Sequence, residues 1–95
     1  MPEMHFHVRW PDGRREACYS PSLVIKEHFG VGETYALDEF VARSRTALTI
    51  ASQRVEARYG FPCSLALGQL ARIEAGAKAL AALPDARVRV EAFEE

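Results

Sequence analysis

The first strand of the chain is marked by strict alternation of apolar and polar residues. Its apolar positions are Met4, Phe6, Val8 and Trp10, and its polar positions are His5, His7 and Arg9. A period of two residues is typical of a half-buried β-strand. Pro11-Asp12-Gly13 follows, and this combination favours a turn. The pattern predicts a β-hairpin over residues 1–20, with Arg14 to Tyr19 as its returning strand.

The facing of the returning strand has two interpretations. A three-residue loop with a glycine bulge places Arg14, Glu16 and Cys18 on the face that carries Trp10. Ala17 and Tyr19 are the more apolar set, which favours the opposite facing. Either the loop is of another type, or both faces of the hairpin are partly covered.

Helical signals dominate residues 22–83. Ser20-Pro21-Ser22 is a suitable cap for a short helix over Leu23 to Phe29, which Gly30-Val31-Gly32 should end. Glu33 to Ala36 is expected to be an extended connector.

A long helix is predicted from Asp38, its expected N-cap, to Tyr59. Its apolar or small positions recur every three or four residues, as in an amphipathic helix. They are Phe40, Val41, Ser44, Ala47, Leu48, Ala51, Val55 and Tyr59. The crowding of small residues, with Thr46, Thr49 and Ser52 among them, should let another backbone approach closely.

A third helix and a third strand complete the pattern. Gly60 and Pro62 should end the long helix, and Ser64 should cap the next one, which runs to about Ala82. Thirteen of the twenty residues in 64–83 are Ala, Leu or Ile. That content is too high for one buried stripe, so this helix should pack on two sides, against the long helix, the sheet or another subunit. Alternation returns in Arg87 to Phe93, with Val88, Val90 and Ala92 on one face.

These elements give an α+β fold in the order β-β-α-α-α-β. We expect a three-stranded, largely antiparallel sheet, packed on one face by the two long helices, with the first strand at its centre. The length favours a single domain over residues 1–95. Its parts are the hairpin (1–20), the helical segment (22–83) and the C-terminal strand (86–93).

Composition and charge exclude several classes of function. Lys and Arg total 12 against 13 Asp and Glu, so the chain lacks the basic surplus of a nucleic-acid-binding protein. The turn at residues 59–64 resembles a helix-turn-helix only in outline, because the helix after it is mostly alanine and leucine. No segment has the length and apolarity of a membrane span or the pattern of a signal peptide. Two cysteines are too few for a disulfide framework, so we expect a cytoplasmic protein without nucleic-acid or membrane partners.

His5, His7 and Arg9 form the first candidate site. Two histidines two residues apart on a strand present both imidazoles to one face, where a zinc or iron ion could bind if His28 or Glu91 supplied a third ligand. Together with Arg87 and Arg89, the same face could instead hold a small anion. The favoured interpretation is an ordinary solvated strand face, because no third ligand is fixed by the sequence.

Cys63 is the second candidate. It lies just before the expected cap of a helix, where unpaired backbone N–H groups favour a thiolate. A nucleophilic cysteine also needs a histidine partner and an oxyanion site, and no local motif supplies them. A structural role for Cys63 is therefore favoured, and we expect no catalytic residues and no cofactor.

Three segments carry a family resemblance: MPEMHFHVRWPDG, CYSPSLVIKEHF and RSRTALTIASQRVEARYGFPCS. They resemble the small bacterial nitrogen-starvation-response proteins, and the likeness extends from Met1 to about Ala77. The genes of that family commonly lie in clusters with a nitrilase, a radical-SAM protein, an acetyltransferase and a flavoprotein. The resemblance implies a setting of nitrogen limitation and of nitrile or cyanide-type nitrogen assimilation in the cytoplasm. It transfers no reaction, ligand or catalytic residue.

The leading hypothesis is a non-catalytic accessory or binding protein that acts through partners. Its expected partners are a second copy, through the Leu65–Leu83 helix or an edge strand, and proteins of a nitrilase cluster. The alternatives are a small metal- or thiol-dependent enzyme and a sensor of a small anionic metabolite on the His5, His7 and Arg9 face.

Overall fold

The computed structural model describes residues 2–95 and confirms the α+β class. Within that range it contains one four-stranded antiparallel sheet and three helices. The elements are β1 (Met4–Arg9), β2 (Arg15–Ser20), α1 (Ile25–His28), β3 (Thr34–Ala36), α2 (Leu37–Tyr59), α3 (Ser64–Leu80) and β4 (Arg87–Glu94). The strand order is β2-β1-β4-β3. The first strand is therefore an inner strand, as the sequence predicts.

The predicted three-stranded sheet and its element order are wrong in one respect. The expected connector at 33–36 contains β3, which pairs with β4 so that Thr34 opposes Arg89 and Ala36 opposes Arg87. The pairing is extended by the N–H of Val90, which donates to the carbonyl of Glu33 at 3.0 Å. The true order is β-β-α-β-α-α-β. Three residues are too few to show an alternating pattern, so this strand is specified by the free edge of β4.

The hairpin adopts the facing that the glycine loop predicts. Val8 opposes Glu16 and Phe6 opposes Cys18, and directly opposed residues point to the same face of a sheet. Cys18 is fully buried beneath the helices, whereas Ala17 is exposed on the other face. Gly13 has a φ of 88°, which glycine adopts without strain.

A β-bulge changes the facing of the end of β4. Val8 opposes Val90, but His7 opposes Ala92, so Glu91 is the extra residue. Ala92 consequently lies on the polar face of the sheet rather than beside Val90, and this part of the sequence prediction is wrong. Phe93 takes the core-facing position opposite Phe6 instead. The shift occurs because a bulge inserts one residue and thereby inverts every later position.

The core lies between one face of the sheet and the helices. Its largest fully buried side chains are Trp10, Phe6, Phe40, Met4, Ile25, Leu48 and Ile73. The aromatic rings are in mutual contact, since Phe40 lies 5.6 Å from Trp10 and 5.3 Å from Phe29 between ring centroids. These edge-to-face and tilted arrangements are the favoured geometries for aromatic pairs.

The helices begin and end close to their predicted limits, with differences at the N-caps. α1 is shorter than predicted. α2 begins at Leu37, so Asp38 lies in the first turn instead of acting as the N-cap, and its Oδ1 accepts the N–H of Glu39 at 2.9 Å. α2 ends where predicted, with Gly60 at a φ of 90° and its N–H bonded to the carbonyl of Glu56 at 2.8 Å. Cys63, and not Ser64, occupies the N-cap position of α3.

Only some of the small residues of α2 are buried. Ser44, Ala47, Ala51 and Ser52 are buried, whereas Thr46 and Thr49 are exposed. In α3 the buried positions are Ala66, Gln69, Ile73 and Ala77. Each of the two helices therefore buries one side, and the buried positions of α3 are spaced by three and four residues.

A second stripe of α3 faces away from the core. Its members are Leu67, Ala71, Ala75 and Ala79, all exposed and each four residues apart. We refer to these four residues as the outer stripe. The expectation that α3 packs on two sides agrees with its contacts to α2 and to β2, yet the outer stripe is still uncovered in the isolated chain.

Glycine-to-alanine substitutions in α3 should stabilise the protein. A Cβ on Gly68 would meet nothing within 4 Å, and one on Gly76 would lie 3.6 Å from the Trp10 ring in ordinary contact. Because alanine is the better helix former, each change should raise the free energy of unfolding by roughly 0.5–1 kcal/mol in urea titrations. Gly60→Ala is the contrasting variant, since its φ of 90° should make it destabilising by about 1 kcal/mol. Stabilisation by Gly60→Ala would contradict the observed helix end.

Candidate functional site

The two candidate histidines share the polar face of the sheet but have different neighbours. Nε2 of His7 lies 2.9 Å from Oε1 of Glu94. His5 packs edge-on against Tyr19, with ring centroids 5.8 Å apart. Burial, reinforced by a hydrogen bond to Glu3, raises the pKa of Tyr19 to about 12. The structure therefore brings the histidines to one face, as the sequence predicts, and gives each its own contact.

The proposed third metal ligands do not join them. Across residues 2–95, no group of three or more His, Cys, Asp or Glu side chains is arranged to hold a metal ion. Neither His28, at the end of α1, nor Glu91 completes such a set with His5 and His7.

Arg9, Arg15 and Arg87 near this face have carboxylate neighbours, whereas Arg89 has none within 4.0 Å among residues 2–95. Glu91, the bulge residue, lies 3.3 Å from Nε of Arg9 and 3.3 Å from Nε of Arg15. Arg87 pairs with Asp85 at 3.1 Å. A small anion at Arg9 would therefore have to compete with a carboxylate that is three-quarters buried, since the Glu91 side chain is 25% exposed.

Cys63 lies at the start of α3 and is partly buried. Its backbone N–H donates to Oγ of Ser52 at 3.2 Å, and its carbonyl accepts the N–H of Leu67 at 3.1 Å. Its side chain makes no capping hydrogen bond to the helix. These contacts tie the backbone of residue 63 to α2 and fix the turn between the two long helices.

The two thiols should differ strongly in reactivity. Burial, with a smaller effect from the nearby Glu16 carboxylate, raises the pKa of Cys18 well above its usual value. Since the thiolate is the reactive form, the partly exposed Cys63 should react with a disulfide reagent at pH 8 at least about tenfold faster than Cys18. Labelling of Cys63→Ser and Cys18→Ser variants measures each thiol separately. Equal rates in the folded protein would contradict the burial of Cys18.

A polar cluster at the edge of β2 was not predicted from the sequence. The N–H of Tyr19 donates to Oε1 of Gln69 at 3.0 Å, and Gln69 itself is fully buried. Nε2 of Gln69 lies 3.4 Å from Oε2 of Glu16, whose other oxygen accepts Nε1 of Trp10 at 3.0 Å. The side chain of Gln69 thus accepts a backbone hydrogen bond that a neighbouring strand would otherwise accept. We call Trp10, Glu16, Tyr19 and Gln69 the edge cluster, and its contacts indicate a structural role.

Two grooves open on the helical side of the molecule. The first, of about 600 Å³, lies between residues 22–27 and the second half of α2. It is lined by Pro2, Ser22, Leu23, Val24, Glu27, Arg54, Ala57 and Arg58, and we call it the arginine groove. The second, of about 640 Å³, lies between the first half of α2 and the end of α3. An ion pair spans this second groove, with Nη2 of Arg45 2.6 Å from Oε2 of Glu74.

The turn between α2 and α3 exposes a group of large apolar side chains. Tyr59 is 55% exposed, Phe61 66% and Leu65 65%. We call these three residues the tip. Exposed aromatic and aliphatic side chains at one end of a small protein are characteristic of a contact surface.

Comparison with known protein families gives one match. Residues 5–93 match the family model described as nitrogen starvation-induced protein NitG. The chain belongs to the NitG family. The match includes all three helices and all but one residue each of β1 and β4, so the resemblance found in the three sequence segments is confirmed. No curated protein and no solved structure gave a significant match.

The family match associates the chain with nitrogen starvation but does not identify a biochemical activity. The family description names nitrogen starvation and no reaction, ligand or residue. No helix within residues 2–95 has both the length and the apolarity needed to cross a membrane. The candidate surfaces of this chain are the polar sheet face, the arginine groove, the tip and the outer stripe.

Proposed function

We propose that this NitG-family chain is a non-catalytic accessory protein of the cytoplasm that acts through protein partners during nitrogen starvation. The observation that supports this proposal is the exposure of the tip. Tyr59, Phe61 and Leu65 are each more than half exposed. Burying these apolar side chains against another protein would remove their surface from water, which favours association.

The first partner in this proposal is a second copy of the chain. The outer stripe supports a symmetric contact between two α3 helices, because alanine at every fourth position lets helix axes approach to about 8 Å. Such a contact is isologous, so the same stripe serves both subunits. Association would also stabilise a domain of this size, because a small chain buries a smaller fraction of its surface in its own core.

Pairing through the edge of β2 is the less favourable route to a dimer. The N–H of Tyr19 on that edge already donates to Gln69, and α3 stands beside the strand. An approaching strand would have to displace this hydrogen bond. β3, at the other edge of the sheet, has only three residues that could pair with another strand. The α3 surface is therefore the one that we assign to self-association.

The oligomeric state tests the first partner. Light scattering behind size-exclusion chromatography should give a dimer at micromolar concentration for the wild type and a monomer for Ala75→Glu. Ala42→Glu is the matched control, because it places the same charge at an exposed position of α2 away from the outer stripe. A monomeric wild type, or a dimeric Ala75→Glu variant, would rule out the α3 contact.

The second class of partner in this proposal is a protein of the nitrilase cluster, bound at the tip. Affinity capture from nitrogen-starved cells should recover such a protein with the wild type and lose it with Phe61→Glu. Phe61 lies in an exposed turn, so this substitution should leave the core intact. Equal recovery with both baits would assign the contact to another surface, and recovery of no cluster protein by the wild type would contradict the accessory role.

A further inference from the structure

We propose that the arginine groove binds a small organic ligand through its carboxylate group. The groove is distinct from the outer stripe and adjoins the tip at Arg58, whose guanidinium lies 5.7 Å from the ring centroid of Tyr59. Its function does not depend on the association proposed above. Three features of its lining carry the proposal: a buried hydroxyl, two arginines without carboxylate neighbours, and an apolar wall.

Ser22 supplies the buried hydroxyl. The residue is 3% exposed, and its Oγ accepts two hydrogen bonds, from the N–H of Val24 at 3.2 Å and from Nη1 of Arg54 at 3.1 Å. A serine hydroxyl also has one hydrogen to donate. Within residues 2–95 no acceptor receives that hydrogen. Since Oγ is the acceptor in both of these hydrogen bonds, the hydroxyl hydrogen can donate to an oxygen of a bound anion.

Arg54 and Arg58 supply the positive charge. They lie four residues apart on α2 and therefore project from the same side of the helix. Neither has a carboxylate within 4.0 Å among residues 2–95, in contrast to six other arginines of the chain, which do. The hydrogen bond from Arg54 to Ser22 holds one guanidinium against the groove. Arginine is the residue best suited to carboxylate recognition, because its fork can donate two parallel hydrogen bonds.

The remaining lining residues select among anions. Glu27 adds one negative charge, so the side chains that line the groove carry a net charge of +1, from two arginines and one glutamate. That balance favours a singly charged carboxylate over a phosphate dianion, which Glu27 would repel. Glu27 can also accept a hydrogen bond from an ammonium group, which favours an α-amino acid over a simple carboxylate. Leu23, Val24 and Ala57 form the apolar wall for the body of the ligand.

Titration of the full chain, followed by two-dimensional ¹⁵N–¹H spectra, tests this proposal. The probes are L-alanine, acetate and inorganic phosphate, each added to millimolar concentration at constant ionic strength. We expect saturable changes with L-alanine that are confined to residues 22–27 and 54–58. If acetate binds with the same affinity as L-alanine, the groove is still a carboxylate site, but Glu27 does not contact an ammonium group.

Variants locate the binding. Arg58→Gln should weaken the binding of L-alanine at least about tenfold, as expected for the loss of a charged hydrogen bond. Arg58 is exposed and has no hydrogen bond to the rest of the chain among residues 2–95, so the variant should fold. Ser22→Ala provides a second, independent measurement. The matched control is Arg89→Gln, which removes an exposed arginine from the polar sheet face and should leave the affinity unchanged.

Three outcomes would overturn the proposal. These are the absence of saturable changes with both L-alanine and acetate, tighter binding of phosphate than of either carboxylate, and equal effects of Arg58→Gln and Arg89→Gln. None of these results bears on the oligomeric state or on the capture of partners, so the two proposals fail separately.

Discussion

Replacement of Phe40 by alanine is expected to lower the free energy of unfolding by about 3–5 kcal/mol. Phe40 is fully buried at the centre of the aromatic contacts, with its ring centroid 5.6 Å from that of Trp10 and 5.3 Å from that of Phe29. Truncation removes apolar surface from the core and leaves a cavity that the rigid neighbouring rings cannot fill. A domain of this size has about 5–15 kcal/mol in total, so the variant should be close to unfolding.

Equilibrium urea denaturation, monitored by the fluorescence of Trp10 and by circular dichroism, measures this loss. Phe40→Leu is the matched control, because it keeps most of the side-chain volume and should cost less than about 1.5 kcal/mol. A loss below about 1 kcal/mol for Phe40→Ala, or equal losses for the two variants, would contradict the packing of this ring.

The elements with a sustained pattern could be predicted from the sequence. Alternation over six or more residues located β1 and β4, and the spacing of apolar residues by three and four located α2 and α3. β3 has three residues and no pattern of its own, so it could not be recognised without the edge of β4 beside it. The bulge at Glu91 was equally invisible, because the apolar alternation of β4 extends through Ala92 in the sequence.

The candidate sites were less predictable, because they join residues that are distant in the chain. His5, His7 and Arg9 were placed correctly on one face by alternation alone. Their partners Glu91 and Glu94 depend on the pairing of β1 with β4 and on the bulge. Ser22 and Arg54 meet only because the turn after β2 lies against the second half of α2. Local periodicity contains no information about such contacts.

The facing of β2 follows the glycine loop, and hydrogen bonds to Glu16 make that facing tolerable. The more apolar set, Ala17 and Tyr19, lies on the polar face, whereas Glu16 lies on the core side. Glu16 is tolerated there because Trp10 and Gln69 donate hydrogen bonds to its two oxygens and Nη1 of Arg14 lies 3.4 Å from Oε1. Burial of a charged group requires such partners, and one of them comes from a helix 53 positions further along the chain.

The same reasoning gives the second large effect, at Gln69. Substitution by leucine keeps the size of the side chain and removes its hydrogen-bonding groups. The N–H of Tyr19 then loses its acceptor, and Glu16 loses a donor. Because each deprived buried group costs about 1–3 kcal/mol, the free energy of unfolding should fall by on the order of 3 kcal/mol. Unlike the loss at Phe40, this one arises without a cavity.

Hydrogen exchange separates a local effect at the edge of β2 from a general loss of stability. In Gln69→Leu the amide of Tyr19 should exchange faster, because its own hydrogen bond is lost. The increase in its exchange rate should be larger than the loss of global stability alone would produce. Gln53→Leu is the matched control: Gln53 is exposed on α2, so its change should stay within about 0.5 kcal/mol. If Gln69→Leu were as stable as this control, Gln69 would not be closing the sheet edge. The edge of β2 would then be available to another strand, and pairing through that edge would compete with the α3 contact as a route to a dimer.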